Sequence, residues 1–470
     1  MSATQQIKES GKVALGEMSE GRVAQEGPQG RSEFTYIDIS SIDRDTKRIA
    51  DPKVLPSSKA PSRAKQILKA GDVVVSMTRP NLNAVAIVPP DLDGAIGSTG
   101  FHVLRAKDAE PGFLFYAVQT PDFIEAMCQK VQGALYPAVR PRDISSFSLP
   151  PFSLAAQRAA VAEIEKQFTR LETGVTALRR VQANLKRYRA AVLKAACEGR
   201  LVPTEAELHS GSGVPPLGQK SREKRQDAAS TFESGEALLT RILTERRQNW
   251  KGRGQYKEPT SSDMTSSPTL PGGWTWTNIG QIGEVGTGAT PNRGKSEYYV
   301  GGTIPWITSG RVNNPRVDEA DQFVTSIALE QCNLTVYPPG TLLLAMYGEG
   351  KTRGTASELG IEAATNQALA AIQTPAAIRG FIKVVLWKNY EDVRKSASGG
   401  VQPNINLSIV RAIPVPLPPL AEQTRIVAEV ERRLSVVGEL EAVVSADLQR
   451  ATRLRQSILQ KAFTGELIVS

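Results

Sequence analysis

The alternation of apolar and polar positions repeats itself in two long stretches of the chain. LAAQRAAVAEIEK (Leu154–Lys166) matches LAEQTRIVAEVER (Leu420–Arg432) at an offset of 420 − 154 = 266 residues, and the same offset aligns Leu193–Leu201 with Leu459–Leu467. A Leu-Pro-Pro triplet precedes each copy. Apolar residues spaced three and four apart predict two long helices that pack as a coiled coil. The predicted seam residues are Val161, Ile164, Phe168, Leu171, Val175, Leu178, Leu185, Tyr188 and Val192 in the first helix, and Val427, Val430, Leu434, Val437, Val444, Leu448, Leu454 and Ile458 in the second.

The segments that precede the two helices repeat each other more weakly. LKAGDVVVSMTRP (Leu68–Pro80) parallels YPPGTLLLAMYGE (Tyr337–Glu349). Short β-branched runs interrupted by Gly, Pro and Asn predict two mixed, mostly β globular domains. A polar linker between the halves contains one amphipathic helix, Gly235–Trp250. The predicted order is a domain over residues 1–150, a long helix over 151–202, the linker over 203–268, a domain over 269–418 and a long helix over 419–470.

Composition limits the chemistry that the chain can perform. The three cysteines are scattered without a CxxC pair, which argues against structural zinc and a disulfide framework. With only two histidines, there is little room for a histidine metal site or a Ser-His-Asp triad. The polar N-terminus and the shortness of every apolar run predict a cytoplasmic protein with no membrane contact.

The charge of the chain favours nucleic acid as a partner. Its 57 basic and 48 acidic residues give a formal net charge of +9. The first predicted helix, Leu154–Val202, has ten basic and four acidic residues, a net charge of +6, whereas Leu420–Ile468 has seven of each. The excess on the first helix fits an ordinary solvated surface and a face turned to DNA or an acidic partner equally well.

Three apparent catalytic motifs fail on inspection. LLLAMYGEGKT (Leu342–Thr352) resembles a phosphate-binding loop, but Ala345 occupies the position of the first glycine, and VVVSMTRPNLN in the other half lacks the motif. SLPPF resembles the motif of adenine methyltransferases, but Leu149 replaces the polar residue that accepts a hydrogen bond from the amino group being methylated. GEVGTGATP ends on Pro291, where a dinucleotide-binding loop needs glycine. We therefore predict a strand followed by a polar surface loop at Leu342–Thr352, and a chain that is not an enzyme.

Loops at matching positions of the two domains are rich in residues that contact DNA. Arginine suits guanine edges, asparagine and glutamine suit adenine edges, and lysine suits phosphates. For any single residue an ordinary polar loop remains the simpler interpretation, so the prediction rests on the clustering. The candidate DNA contacts are Arg79, Asn81, Asn83, Tyr136, Arg140 and Arg142 in the first domain, and Arg293, Lys295, Arg311, Asn313, Asn314, Tyr347, Lys351, Arg353, Asn366, Gln367, Gln402, Asn404 and Asn406 in the second.

Taken together, these features resemble the specificity (S) subunit of type I restriction–modification systems. The resemblance covers nearly the whole chain and rests on LPPFSLAAQRAAVAEIEKQF and LPPLAEQTRIVAEVERRL, on LPGGWTWTNIGQI at the opening of the second domain, and on GTLLLAM and ATNQALAAI within it. The chain departs from the family pattern in two places. KVALGEM replaces an LPxGW opening in the first domain, and Ala156 stands where the second helix has Glu422.

The resemblance implies an α+β protein with an internal pseudo-twofold repeat, in which two long antiparallel helices separate two target recognition domains. Each domain would read one half of an asymmetric, bipartite double-stranded DNA site. Two copies of an adenine-methylating modification subunit would dock on the chain, and restriction subunits would translocate and cleave DNA. S-adenosylmethionine, ATP and Mg²⁺ would belong to those partners, and the chain would have no cofactor of its own. A stand-alone DNA-binding regulator and the specificity subunit of a related fused system are the alternatives.

Overall fold

The computed structural model describes residues 11–131, 137–209, 233–250, 254–261, 267–348, 352–395 and 405–467. The chain divides into two compact units: unit 1 comprises residues 1–181 and 443–470, and unit 2 comprises residues 182–442. Each long helix contributes one part to unit 1 and the other to unit 2. None of the helices in these described ranges is long and apolar enough to cross a membrane.

Two helices of 44 residues each, Leu154–Cys197 and Leu420–Phe463, dominate the secondary structure. Both begin just after a double proline, which disfavours helical conformation in the residue before it. Ser153 caps the first helix, because its Oγ accepts a hydrogen bond from the amide of Ala156 at 3.2 Å. Gly199 and Gly465 follow the two helices in left-handed conformation, with φ of +66° and +80°. Glycine adopts this conformation without strain, so both helices end here.

Within each unit the two long helices are antiparallel. In unit 1, the Arg455 guanidinium lies 4.1 Å from the centre of the Phe168 ring and 3.4 Å from a Glu172 carboxylate oxygen. Val161, nearer the start of the first helix, shares a core with Phe463, at the end of the second. In unit 2, the end of the first helix and the start of the second share another core. The prediction of an antiparallel coiled coil is confirmed.

Most of the predicted seam residues are at least partly buried. Tyr188 and Leu454 differ, since 46% and 49% of each remains exposed. Next to Leu454, it is the side chain of Arg455 that faces the other long helix, where its guanidinium lies over the ring of Phe168. A 3.6-residue helix drifts relative to a strict heptad, so neighbouring positions exchange the inward place. The buried residues are Val161, Ile164, Phe168, Leu185, Val192, Val430, Val437, Val444 and Ile458, and the half-buried ones are Leu171, Val175, Leu178, Val427, Leu434 and Leu448.

The described residues of unit 1 form two main sheets and two strand pairs. The four-stranded sheet has the order Lys53–Pro56, Glu33–Ile37, Ile96–Ser98, Ala64–Ile67, and the three-stranded sheet has the order Phe101–Leu104, Val73–Ser76, Val85–Ile87. The strand pairs are Ile42–Asp43 with Arg48–Ile49, and Val13–Ala14 with Ser148–Leu149. Short helices cover Pro111–Ala117, Pro121–Gln129 and Pro141–Ser145.

Unit 2 repeats this plan with larger sheets. The five-stranded sheet has the order Glu284–Thr287, Leu369–Gln373, Leu342–Ala345, Ala356–Leu359, Arg316–Val317. The four-stranded sheet has the order Phe323–Val324, Ile304–Ile307, Ala363–Thr365, Val336–Tyr337, and Thr275–Asn278 pairs with Pro414–Leu417. The helices are Glu205–His209, Gly235–Gln248, Ile279–Ile282, Ser326–Gln331, Ala376–Lys388, Tyr390–Lys395 and Leu407–Ala412.

The two central strands explain the apolar runs VVVS and LLLA. Every residue of Val73–Ser76 and of Leu342–Ala345 is buried. Side chains alternate between the faces of a strand, so Leu342 and Leu344 join the core that contains the long helices, while Leu343 and Ala345 join a second core. Continuous apolar runs are typical of strands covered on both faces.

Two close approaches confirm the internal repeat. A Cβ atom on Gly112 would lie 3.0 Å from a Val161 methyl group, and one on Gly380 would lie 3.2 Å from a Val427 methyl group. The two valines are 427 − 161 = 266 residues apart, as the sequence register predicts. In each unit a short helix therefore packs against the same turn of a long helix.

Candidate nucleic-acid interface

In unit 1, the two loops predicted to contact DNA are neighbours. The amide of Arg79 donates to the carbonyl of Pro137 at 2.8 Å, and the amide of Val139 donates to the carbonyl of Met77 at 2.8 Å. This short ladder fixes residues 77–83 against residues 137–142. Arg79, Asn81, Arg140 and Arg142 are all exposed there. Four polar side chains from distant parts of the sequence therefore share one edge of the unit.

Asn83 lies at the same edge but points inward. Only 8% of it is exposed, its Nδ2 donates to the carbonyl of Val118 at 2.7 Å, and its Oδ1 accepts from Lys47 Nζ at 3.0 Å. Lys47 Nζ also donates to the carbonyl of Asn83. Burial lowers the pKa of Lys47 to about 8. The side chain of Asn83 is thus engaged within the protein, and its observed role is to hold the loop that carries Arg79 and Asn81.

Unit 2 uses the same construction at the matching positions. The amide of Ile405 donates to the carbonyl of Met346 at 3.3 Å, as Val139 does to Met77, and 405 − 139 = 266. The amide of Met346 donates to the carbonyl of Ala368 at 2.8 Å. Residues 346–348, 366–368 and 405–406 therefore meet at the end of the central strand.

A further loop reaches this edge because a glycine leaves room for it. A Cβ on Gly288 would lie 1.6 Å from the carbonyl oxygen of Thr365, so no side chain fits there. The loop that follows carries Arg293 and Lys295, and the hydroxyl of Thr290 hydrogen-bonds to Oε1 of Gln367. The amide of Asn366 donates to the carbonyl of Ile307 at 3.0 Å, which places the loop after Ile307 nearby.

Several candidate amides in unit 2 cap their own loops. Asn406 Oδ1 accepts from the amide of Ile409 at 2.9 Å and so caps the helix Leu407–Ala412. Asn366 Oδ1 accepts from the amide of Ala368 at 3.2 Å, and Asn313 Nδ2 donates to the carbonyl of Gly310 at 3.0 Å. Each of these amides has one hydrogen-bonding atom engaged. Asn314 and Gln367 are exposed.

The basic candidates of unit 2 differ in how far their charge is already balanced. Arg311 lies 3.1 Å from a carboxylate oxygen of Asp321. Lys295 lies 3.6 Å from Glu297, and its hydrogen bond to Tyr298, 3.2 Å long, raises the pKa of its ammonium group. Arg293 instead donates to the neutral amide oxygen of Gln322 at 3.0 Å. Of these side chains, only that of Arg293 is held by uncharged groups.

The former phosphate-loop candidate is a hairpin in the described residues. Leu342–Ala345 pairs antiparallel with Ala356–Leu359, and no helix begins between them where the structure describes the chain. Tyr347 is half-buried against the core, and the carbonyl of Arg353 accepts from Arg394 at 2.8 Å. Four candidates, Tyr136, Lys351, Gln402 and Asn404, lie outside the described residues.

Burial shifts the pKa of two nucleophile or base candidates among the described residues. Ser145 Oγ lies 3.1 Å from His102 Nε2, but burial lowers the pKa of that histidine to about 4, which makes its ring a weak base. Burial raises the pKa of Cys197 to about 12, which keeps it a thiol. Within the described ranges, no group of three His, Cys, Asp or Glu side chains could hold a metal ion.

Sequence reasoning missed four residues that shape these edges: Lys47, Tyr299, Trp306 and Gln322. Lys47 acts across 36 residues on Asn83, and Gln322 acts across 29 residues on Arg293. No local pattern reports contacts at such distances. The tyrosine pair Tyr298-Tyr299, close after two basic residues, was the one available signal for an aromatic platform.

Comparison with known proteins identifies the type of domain. Residues 271–437 match the family model described as type I restriction modification DNA specificity domain. The MjaIX specificity subunit of Methanocaldococcus jannaschii is 28% identical over 181 residues, 37% of this chain and 40% of the relative. The EcoR124I/EcoR124II specificity subunit of Escherichia coli is 24% identical over 185 residues, 38% and 45% of the two chains. Each alignment thus spans less than half of the relative.

A solved structure from a type I R-M system is similar over almost the whole chain. It comes from work on complex assembly and conformational transition of the type I R-M system, and it covers 97% of this chain and 98% of its own at 25% identity with a TM-score of 0.66. The resemblance predicted from the sequence, and the fold that it implied, are confirmed.

Proposed function

We propose, on the premise that this chain carries a type I specificity domain and the fold of a type I R-M chain, that it is the DNA-recognition subunit of such a system. It would read a bipartite, asymmetric site in double-stranded DNA, one half with residues 1–150 and the other with residues 269–418. The chain itself would catalyse no reaction.

The duplicated loop edge is the observation that carries this proposal. The hydrogen bond from Val139 to Met77 has its counterpart from Ile405 to Met346, so both halves present loops on the same framework. The side chains on these loops differ between the halves: the exposed Arg140 follows Val139 in one, and the exposed Asn406 follows Ile405 in the other. Two domains that recognise different half-sites need the same backbone arrangement of their loops but different side chains on them.

The long helices would fix the distance between the two half-sites. At about 1.5 Å per residue, a 44-residue helix is about 66 Å long. A full turn of B-DNA covers about 34–36 Å. Helices of this length therefore suit a spacer of one to two turns.

The chemistry would reside in partner subunits. Two modification subunits would bind S-adenosylmethionine and methylate an adenine extruded from the duplex, and restriction subunits would bind ATP and Mg²⁺. The role of this chain is to bring those enzymes to one sequence.

Exchange of one recognition domain tests the proposal. Residues 1–150 would be replaced by the corresponding segment of another specificity subunit, and the methylated adenines of a host with the complete system would be mapped by sequencing. We expect one half of the recognised sequence to change while the other half and the spacer stay the same. A change in both halves would contradict the assignment of one half-site per domain.

A further inference from the structure

Arg293 rests on an aromatic platform at the loop edge of unit 2. Its guanidinium carbon lies 5.8 Å from the ring centre of Tyr299 and 5.6 Å from that of Trp306. The two rings meet edge to face at 6.2 Å. At these distances the cation is attracted by both ring faces and its plane is restricted.

The platform is itself fixed to the loop that leads to Arg293. Tyr299 donates its hydroxyl to the carbonyl of Pro291 at 2.6 Å, and Trp306 donates its indole N–H to the carbonyl of Ala289 at 3.2 Å. Only 1% of Trp306 is exposed. The rings therefore hold both the backbone before Arg293 and the side chain of Arg293.

Gln322 determines the direction in which the guanidinium points. Its Oε1 accepts from Arg293 Nη2 at 3.0 Å, and its backbone carbonyl accepts from the amide of Trp306 at 2.9 Å. Gln322 immediately precedes the strand Phe323–Val324, so a sheet edge anchors it. One guanidinium nitrogen of Arg293, Nη2, thus forms a hydrogen bond within the protein, and the group is held in place without a carboxylate that would neutralise its charge.

The charge of Arg293 is balanced differently from that of two other arginines of the same unit, Arg311 and Arg316. Arg311 lies 3.1 Å from Asp321, and Arg316 lies 2.6 Å from Asp318. Within the described residues no carboxylate lies within 4.0 Å of the Arg293 guanidinium nitrogens. An unbalanced, oriented guanidinium keeps its full charge for an external acceptor.

An open cavity of about 490 Å³ lies beside this side chain, lined by Arg293, Ser296, Tyr299, Val300, Gln322 and Phe323. Val300 is 75% exposed and Phe323 is 43% exposed. A charged fork flanked by exposed apolar groups suits the floor of the DNA major groove, where guanine offers acceptors and thymine offers a methyl group.

We propose that Arg293 reads a guanine in the half-site of the second domain, and that Gln322, Tyr299 and Trp306 align it for that purpose. The acceptors would be guanine N7 and O6, which match two donors of a planar guanidinium. A phosphate contact would need charge but no such alignment, and the flexible neighbour Lys295 is the better candidate for one. Because the guanidinium of Arg293 is already oriented in the free protein, it loses less conformational entropy when it binds.

This inference rests on the proposed function, and 7-deazaguanine provides a test at the level of single atoms. The chain, purified in complex with its modification subunits, would be titrated with duplexes in which each guanine of the second half-site in turn lacks its N7 acceptor. We expect one position at which the modified base weakens wild-type binding, and at which Arg293→Met, which has no hydrogen-bond donor, shows no such sensitivity. The preference of Arg293→Met for G·C over the other base pairs at this position should fall about 5- to 150-fold.

Two further variants separate base reading from general effects. Gln322→Ala keeps the guanidinium but frees it, so it should reduce the same preference by a smaller factor and leave the other positions unchanged. Arg316→Met alters an exposed arginine of the same unit whose charge Asp318 already balances, and it should leave the preference at every position unchanged. Arg293 is exposed, so its substitution by methionine should leave the fold intact.

The results distinguish this inference from the proposed function. If the wild-type complex selects no bipartite sequence, the proposed function is wrong. If it does, but Arg293→Met weakens binding equally for all sequences, Arg293 contacts phosphate and the inference is overturned. Sensitivity of Arg293→Met to 7-deazaguanine equal to that of wild type would overturn it as well.

Discussion

Glu422 provides the sharpest test of how unit 2 is held together. Its carboxylate is fully buried, and it accepts hydrogen bonds from the indole N–H of Trp274 at 3.0 Å and from the amide of Glu205 at 3.1 Å. It thereby joins the start of the second long helix to the segment after the first and to the opening of the second domain. The matching position of the first helix is Ala156.

Replacement of Glu422 by alanine would leave two buried donors without an acceptor. Each buried, unsatisfied donor costs about 1–3 kcal/mol. We expect Glu422→Ala to lower the free energy of unfolding of unit 2 by about 2–5 kcal/mol, because relief of the buried carboxylate offsets part of the loss. Glu422→Gln keeps one acceptor oxygen and should lose about half as much.

Tryptophan fluorescence isolates this effect. All five tryptophans of the chain lie within residues 182–442, so their emission during urea unfolding reports on unit 2 alone. Glu429→Ala is the matched control on the same helix, since Glu429 pairs with the partly exposed Arg432 and Arg433, and such pairs contribute about 0–1 kcal/mol. Equal urea midpoints for Glu422→Ala and Glu429→Ala would refute the reasoning.

The pH dependence of the stability of unit 2 in the wild-type protein follows from the raised pKa of Glu422, for which burial is the main cause. The folded protein binds this proton more tightly than the unfolded chain does. The stability of unit 2 should therefore fall as the pH rises from the ordinary carboxyl range, near 4.5, through the folded pKa. Glu422→Gln should remove that part of the decrease, and an unchanged profile would show that Glu422 does not cause it.

Two further predictions concern unit 1. Asp72, 1% exposed, accepts two hydrogen bonds of 2.8 Å from the Arg105 guanidinium. Asp72→Ala should cost about 3–5 kcal/mol, because it leaves this largely buried cation with only the longer ion pair to Glu20, at 3.7 Å. A loss below about 1 kcal/mol in urea unfolding followed by hydrogen exchange of residues 73–76 would contradict this. Burial lowers the pKa of Lys47 to about 8, so the unfolded chain binds more protons between pH 8 and 10.5, and unit 1 should gain stability with rising pH in that window. Lys47→Met should reduce this gain, which hydrogen exchange of residues 73–76 at pH 8 and pH 10 would measure. If the stability of unit 1 increased equally in the wild-type protein and in Lys47→Met, the reasoning would be wrong.

The sequence was most informative where the structure is local and repeated. The 266-residue register and the double prolines located both long helices, and the helices begin at Leu154 and Leu420 as the prolines indicate. Period-two alternation explains why Leu343 and Leu344 face different cores, but it could not say which strands are neighbours. Glu33–Ile37, for example, pairs in parallel with Ile96–Ser98, about sixty residues away in the sequence.

The candidate site was less predictable because its side chains depend on distant partners. Asn83 was predicted to contact DNA because of its residue type, but its side chain forms hydrogen bonds with Lys47 and with the carbonyl of Val118 inside the protein. Arg293 was one of several equivalent arginines in the sequence, and only the partners Gln322 and Asp321 distinguish it from Arg311. Residue type reports what a side chain can bind, whereas the fold decides whether it remains available.

Mapping of methylated adenines in a host that carries the complete system tests the central claim most directly. The account predicts a single asymmetric sequence made of two specified parts with an unspecified spacer of one to two DNA turns, and its loss when this chain is deleted. A continuous or palindromic site, or methylation that persists without the chain, would contradict it.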